Sequence, residues 1–288
     1  MRPTAHTPLR PYARTSIRPD GIVVASDGRA ASDAALLAAH AIAPLDTFGV
    51  LTVLTVLSKS AAADCTIEPV YDRAAIADNA ARIRAQLERL FGSADGVRVE
   101  TRSGYPPAVV AAYAETHDID LLVVGIGRPR VIDRLLGDES TLRLARLSKT
   151  PIFAVAGGVA VPPRRIVVGI DFTPTSIQAA RLAIDLAAPD AEVLLAHVET
   201  LDARSRPDAS LRRVVEVVQT CFCGRVKSQL LRGDAATEVL ALATDWNADA
   251  IAIGLHGHGP EDRAAIGNVA TRVVRCASCS VIVAPRKA

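Results

Sequence analysis

The stretch GLHGHGPEDRAAIGN, residues 254–268, holds four glycines, among them 254, 257 and 267, with histidines at 256 and 258. Those types at that spacing could hold an anion. Gly254 and Gly257 carry no Cβ, so backbone can approach a ligand closely there. Gly267 falls where a helix is expected to begin, and unpaired N–H groups and the helix dipole favour a phosphate at such a point. The side chain of Asn268 adds a further N–H donor. Glycines also make ordinary turns, so the spacing is a moderate sign of a nucleotide loop and not a proof of one. His256-x-His258 invites a metal, but zinc needs three or four ligands and no partner cluster lies nearby in sequence. The pair reads better as lining a phosphate loop.

Other chemistry is thinner. Cys221-x-Cys223 and Cys276-x-x-Cys279 have the look of zinc or redox pairs. In the topology derived below they precede the third and fifth strands of one sheet, on opposite edges, about 19 Å apart at ~4.8 Å per strand. One metal cannot bridge that distance, and buried small side chains are the plainer reading, with a redox role for Cys276 and Cys279 left open. Ser32 and Ser176 have no histidine at a suggestive spacing and read as helix-start residues. No carboxylate pair demands acid–base catalysis and no Walker lysine motif is present.

The elements that must position these residues come twice. IVVASDGRAASDAALLAAHAIA (22–43) and IVVGIDFTPTSIQAARLAIDLA (166–187) superpose at an offset of 144, with Asp27 on Asp171 and Ser32 on Ser176. DLLVVG (120–125) and DAIAIG (249–254) superpose at an offset of 129. The first copy therefore carries about 15 extra residues, expected around SKSAAADCTIEPVYDR. The seam is AGGVAVPPRR, residues 156–165. In the second copy, apolar runs alternate with helical periods: RIVVGI, EVLLAHV, GRVKSQLLR, DAIAIG and SVIVAP as strands, with helices between them. Continuous apolar runs suit strands buried on both faces, and helical crossovers imply parallel pairing. The fold expected is α/β, two repeated doubly wound domains with five-stranded parallel sheets. The divisions are a flexible tail at 1–19, a first domain at 20–156 and a second at 165–288. Ligands of such sheets bind beyond the carboxyl ends of the strands, which is where Gly254 falls.

Composition agrees and excludes other classes. Half of the 288 residues are hydrophobic, 3% are aromatic and 22% are charged, with a net charge of +2. Alanine and aliphatic residues supply the core, and no basic stripe marks a nucleic-acid surface. The proline- and arginine-rich opening has no apolar h-region, and no stretch of 18 apolar residues follows. Five cysteines, an odd count, argue against a secreted disulfide framework. A cytoplasmic protein is expected.

Three stretches, VVGIDFTPTS, GLHGHGPEDRAAIGN and RCASCSVIVAP, carry a resemblance. Both copies resemble the universal stress protein family, over all of the chain but the tail. The resemblance implies an adenine nucleotide-binding-like fold and a stress-response or regulatory role without obligatory turnover. Nucleotide-binding members show Gly-x-x-Gly, nine residues, then Gly with Ser or Thr. The second copy matches with Gly254, Gly257 and Gly267, while Asn268 and Ala270 replace the hydroxyl residues. By the resemblance, Asp171 and Val198 flank the adenosine of ATP, Ile253 and Gly254 lie against base and sugar, and magnesium accompanies the phosphates. The first copy departs: Gly127 comes one residue early, Arg128 replaces the second glycine, and Gly137 precedes Asp138 and Glu139. Two carboxylates there repel a phosphate, with Arg128, Arg130 and Arg134 as counter-charges, so the first site is expected to be degenerate. The copies are expected to pair through the edges PIFAVA and SVIVAP, burying both, and a homodimer of the whole chain is a further expectation. The rival readings are a scaffold acting through unknown protein partners without nucleotide, and a slow nucleotide hydrolase, for which no base is identified.

Overall fold

Short aliphatic runs between amphipathic helices produce the same chain path twice. The computed structural model describes residues 17–43, 51–58, 73–126, 137–199, 207–255 and 267–285. The first half runs β1 (Ile22–Ala25), α1 (Asp33–Ile42), β2 (Leu51–Ser58), α2 (Arg73–Phe91), β3 (Val97–Gly104), α3 (Pro106–Thr116), β4 (Leu121–Ile126), α4 (Gly137–Leu147) and β5 (Ile152–Ala156). The second half repeats it as β6 (Arg165–Gly169), α5 (Pro174–Leu186), β7 (Glu192–Glu199), α6 (Pro207–Thr220), β8 (Arg225–Arg232), α7 (Ala235–Asp245), β9 (Ala250–Gly254), α8 (Asn268–Cys276) and β10 (Ser280–Ala284).

The halves share one sheet, in the order β3-β2-β1-β4-β5-β10-β9-β6-β7-β8. Pairing is parallel within each half. At the centre β10 runs antiparallel to β5, with Val281 opposite Ala154, Ile282 opposite Phe153 and Val283 opposite Ile152. The Ser280 hydroxyl also accepts the Ala156 N–H at 3.1 Å. These are the two edges the apolar patterns mark as needing cover, and joining them buries both strands completely.

Helices cover both faces. Buried side chains of α1, α2, α5 and α6 form one core layer, and those of α3, α4, α7 and α8 form the other. The central strands are apolar without alternation because both of their faces are covered. The outermost strand β8 is mostly exposed. Its Arg225, Lys227 and Arg232 pair with Glu192 and Glu199 of β7 at 3.0–3.3 Å, and such charge deters edge-to-edge association.

The extra length of the first half has two main sources. The link from β2 to α2 occupies positions 59–72, outside the described residues, against 200–206 in the second half. In addition α2 has 19 residues where α6 has 14. Of the expected tail, residues 1–16 lie outside the described residues, but its last part is anchored. Ile17 is buried, and Arg18 pairs with Asp120 at 2.8 Å and with Asp118 at 3.4 Å. Among the described residues, no helix is long and apolar enough to cross a membrane.

Candidate functional site

Parallel register brings the second-half residues to one edge. Val168 lies beside Ala252, and Gly169 beside Ala196. Asp171, Val198, Ile253 and Gly254 follow these positions within two residues, at the carboxyl ends of β6, β7 and β9. Ile253 is buried, while Asp171, Val198 and Gly254 are half-buried. The Asp171 Oδ1 accepts the Thr173 N–H at 3.0 Å and the Thr173 hydroxyl at 2.5 Å. That turn leads into α5, whose N-cap is Thr173, with Pro174 as first helical residue. His197 closes the neighbouring strand end: its Nδ1 meets the Ile170 carbonyl at 2.7 Å and its ring packs on Phe172.

One hydrogen bond ties the loop together. The Gly267 N–H donates to the Leu255 carbonyl at 3.0 Å, and the Leu255 N–H donates to Ala284 of β10 at 2.8 Å. The start of α8 is thereby held against the end of β9. Gly267 is the N-cap, with φ of −57°, a value open to any residue, so no left-handed turn demands glycine here. Its own N–H is already used. The first-turn amides of Asn268, Val269 and Ala270 are those that a helix start leaves without intrahelical partners. Asn268 is exposed, and Ala270 is buried. His256, Gly257 and His258 lie outside the described residues.

Gly254 has a second reason to be glycine. A Cβ there would stand 2.7 Å from the Thr175 hydroxyl and 2.9 Å from the Ser176 N. Gly125 at the end of β4 is its counterpart, and a Cβ there would stand 3.0 Å from the Ser32 Cα and would also meet the Ala31 carbonyl. In both halves the start of the first helix crosses so close to this strand end that no side chain fits. The glycine is kept where the rest of the loop pattern has been lost, which assigns it to packing as well as to any ligand.

The first half, expected from its loop to be degenerate, has a cavity of about 360 Å³ at the equivalent edge. Counted along the ladders, Val56 is the counterpart of Val198, Val124 of Ile253, Gly125 of Gly254 and Asp27 of Asp171. All four line the cavity, with Ser140 and Thr141 of α4. Its floor is a network that the sequence reading missed. Ser26 Oγ lies 2.8 Å from both Ser32 Oγ and Gln86 Oε1. Gln86 Nε2 donates to the Arg29 carbonyl at 3.0 Å and to Asp33 Oδ1 at 2.6 Å. Burial pushes the Asp33 carboxyl up, but hydrogen bonds from Arg89 and Gln86 and the charge of Arg89 outweigh it, leaving the group below its ordinary value. The missed signal was Gln86, a polar residue on the inward face of α2 at the spacing of Ile83 and Leu87.

Neither serine has the arrangement of a nucleophile. Ser32 occupies the N-cap of α1 but makes no side-chain cap bond, giving its hydroxyl instead to the network and to the Arg29 carbonyl at 2.8 Å. Ser176 lies inside the first turn of α5 and donates to the Thr173 carbonyl at 3.0 Å. The cysteine pairs sit before β8 and β10, separated by three intervening strands. Cys223 and Cys276 are exposed, and Cys279 is buried. Burial pushes the Cys279 thiol up to about 11, so it is no ready nucleophile. Among the described residues, no three of His, Cys, Asp and Glu gather as a metal site.

A doubly wound parallel half, repeated and joined through its last strands, with its glycine-marked edge beyond the fourth strand, defines a tandem doubly wound α/β class of protein. The sequence pattern of the universal stress protein family matches residues 20–156 and 224–285. The chain belongs to that family. A universal stress protein of Methanocaldococcus jannaschii is 26% identical over an alignment of 138 residues, which covers 42% of this chain and 81% of the relative. The structure of a universal stress protein from Archaeoglobus fulgidus covers 93% of this chain and 99% of its own at 17% identity, with a TM-score of 0.68. A universal stress protein solved in complex with cAMP covers 42% of this chain and 97% of its own, at 20% identity and a TM-score of 0.36.

Proposed function

We propose that this chain is a stress-response regulator that binds ATP or a related adenine nucleotide at the carboxyl edge of β6, β7 and β9. It holds the nucleotide without obligatory turnover. The observation that carries this reading is the Gly267–Leu255 hydrogen bond at 3.0 Å, which puts a helix N-terminus at the strand ends where Asp171 and Val198 also arrive. The residues present fit a phosphate through backbone alone. Ala270 offers no hydroxyl, so the amides of residues 268–270 and the helix dipole supply the grip, with Asn268 beside them. Asp171 and Val198 would flank the adenosine, and Ile253 and Gly254 would lie against the base and sugar. His256, Gly257 and His258 complete the loop in sequence. Magnesium would arrive with the phosphates.

The buried Ala270, at 3% exposure, favours the second reading, a scaffold that binds protein partners and no nucleotide. Calorimetric titration of the nucleotide-stripped chain with Mg-ATP separates the two. Saturable binding near one nucleotide per chain is expected. Gly267→Asp is expected to abolish it with the fold intact, because Asp is a favoured N-cap residue that also sets a negative charge at the phosphate position. Gly137→Asp is expected to leave the ATP stoichiometry unchanged. Absence of heat with the unmodified chain at every concentration would establish the scaffold reading instead.

A further inference from the structure

We infer that the cleft between α5 and α6 is a separate binding site for a single-chain amphiphile with an anionic head, of the chemistry of a medium-chain fatty acid. It lies apart from the nucleotide edge at the strand ends. Phe172, Val214, Val218 and Cys221 of the cleft pack with the core layer of α1, α2, α5 and α6, whereas Val198, Ile253 and Ala270 belong to the opposite layer. The cleft is about 1120 Å³, somewhat above the roughly 300–1,000 Å³ of common small-molecule sites. Its lining follows α6 from Asp208 to Cys221, about 20 Å at ~1.5 Å per residue, so the space is elongated.

The two halves differ here in a way that opens the space. In the first half the matching helices are tied together. Asp33 of α1 accepts from Gln86 and Arg89 of α2 at 2.6 and 2.8 Å, and the His40 ring packs on Phe91. The offset of 144 puts Ile177 at the place of Asp33 and Ile184 at that of His40. On α6, setting the buried Leu211 over the buried Ile83 puts Val214 at the place of Gln86 and Val217 at that of Arg89. All four replacements line the cleft. Four groups that hold the first pair of helices together are thus aliphatic in the second, and Val217 is left 53% exposed. Apolar side chains gathered along a concavity suit an apolar chain.

The charges that distinguish this cleft favour an anion. Arg181 stands where the first half has Leu37, and Arg213 where it has Ala85. Both are exposed and line the cleft, one on each wall. Among the described residues neither has an ion-pair partner. The acids of the lining are mostly engaged: Asp208 pairs with Arg212 at 2.6 Å, and Asp185 has an interaction of its own. That leaves two guanidiniums against Glu216, which the first half also carries as Glu88. Guanidiniums on facing walls can hold a carboxylate between them while its chain runs along Ile184, Val214 and Val217.

The test titrates the full chain by calorimetry with dodecanoate below its micelle concentration, and with dodecyltrimethylammonium as the same chain with opposite charge. One dodecanoate per chain is expected, roughly tenfold tighter than the cation. Arg181→Leu with Arg213→Ala, the first half's own residues at exposed positions, is expected to erase that preference. Val214→Trp, which fills the cleft, is expected to abolish binding. Val217→Asp, a change at an exposed residue that leaves the fold intact, is expected to weaken it about fivefold by setting a charge against the chain. Bound dodecanoate should also shield Cys221, at the end of the cleft, from a thiol reagent that still labels Cys223 and Cys276. No saturable binding, equal binding of the two amphiphiles, a preference that survives loss of both arginines, unchanged affinity in Val217→Asp, or unshielded Cys221 would each overturn the inference. Mg-ATP binding at the strand ends is a separate measurement, so the two readings fail independently.

Discussion

Gly28 and Phe172 occupy the same turn, one in each half, and both are left-handed, with φ of 77° and 63°. Glycine adopts that conformation freely, whereas a side chain there costs about 1–2 kcal/mol. Phe172 recovers it by packing on His197, with ring centroids 4.6 Å apart at 44°.

Three substitutions follow from this turn. Gly28→Ala is expected to lower stability by about 1–2 kcal/mol through backbone strain, and its Cβ would stand 2.9 Å from Arg82 Cγ. At position 172 both Ala and Gly lose the ring, but only Ala keeps the strain. Phe172→Gly is therefore expected to be the more stable of the two by about 1 kcal/mol. Urea unfolding of the pair measures it, and an Ala variant as stable as the Gly variant would show that the turn is relaxed.

The glycines at the ends of β4 and β9 are expected to behave alike without any ligand. Gly125→Ala and Gly254→Ala each press a methyl against helix-start backbone or side-chain atoms, an overpacking of about 1–3 kcal/mol. Thermal unfolding of nucleotide-free protein reads this directly. A loss confined to Gly254→Ala, or seen only with nucleotide present, would mean that packing is not what holds glycine there.

Gln86 bonds four groups in the floor of the first half, and the residue is only 3% exposed. Gln86→Leu keeps the volume but removes one bond each from Ser26, Arg29, Ser32 and Asp33, leaving Ser26 with Ser32 and Gly28 and Asp33 with Arg89, an expected loss of about 1–3 kcal/mol.

Asp33 adds a pH signature. Its carboxyl titrates below the ordinary 3.8 in the folded chain, so it contributes stability above about pH 4 that is lost as pH falls through the folded value. The stability difference between the unmodified chain and Asp33→Asn should shrink between pH 5 and pH 3. A constant difference would mean that the Gln86 and Arg89 bonds do not favour the ionised form.

Cys279 has the opposite sign. Its thiol is raised from 9.0 to about 11, so the folded form holds its proton after the unfolded chain has released it. The stabilisation is fully present below pH 9 and lost as pH rises to about 11, amounting to about 2–3 kcal/mol. Comparison with Cys279→Ala isolates this slope from other groups that titrate there. In native protein at pH 8, a thiol reagent should label Cys223 and Cys276 quickly and Cys279 only on unfolding.

Much of the molecule is legible in the chain because its signals are local. Ile22–Val24 and Ile166–Val168 are uninterrupted aliphatic runs, which require cover on both faces, and Thr173-Pro174 announces the start of α5. The offset between the copies places Asp27 on Asp171 and Gly125 on Gly254 without any coordinates. What escaped was set by distant residues. Gln86 lies 60 positions from Ser26, and nothing in the local pattern of α2 ties it to that partner. The first half's loop departs from the glycine spacing, yet the cavity is bounded mostly by strand ends and helix starts that the departure leaves in place.

The sequence by itself determined the strands, the helices, their duplication and the edge at which the paired glycines Gly125 and Gly254 fall, because apolar periodicity and glycine placement act over a few residues. The apolar patterns also mark PIFAVA and SVIVAP as the joining edges, but tertiary structure alone decided that β5 and β10 meet antiparallel and in which register. It also decided that Gly254 clears the way for α5, that the Gly267 N–H is already bonded, and that the first half holds a cavity. These depend on which surfaces meet after the chain has folded back over a hundred residues or more, or on how close a helix start passes to a strand end. Spacing along the chain records neither.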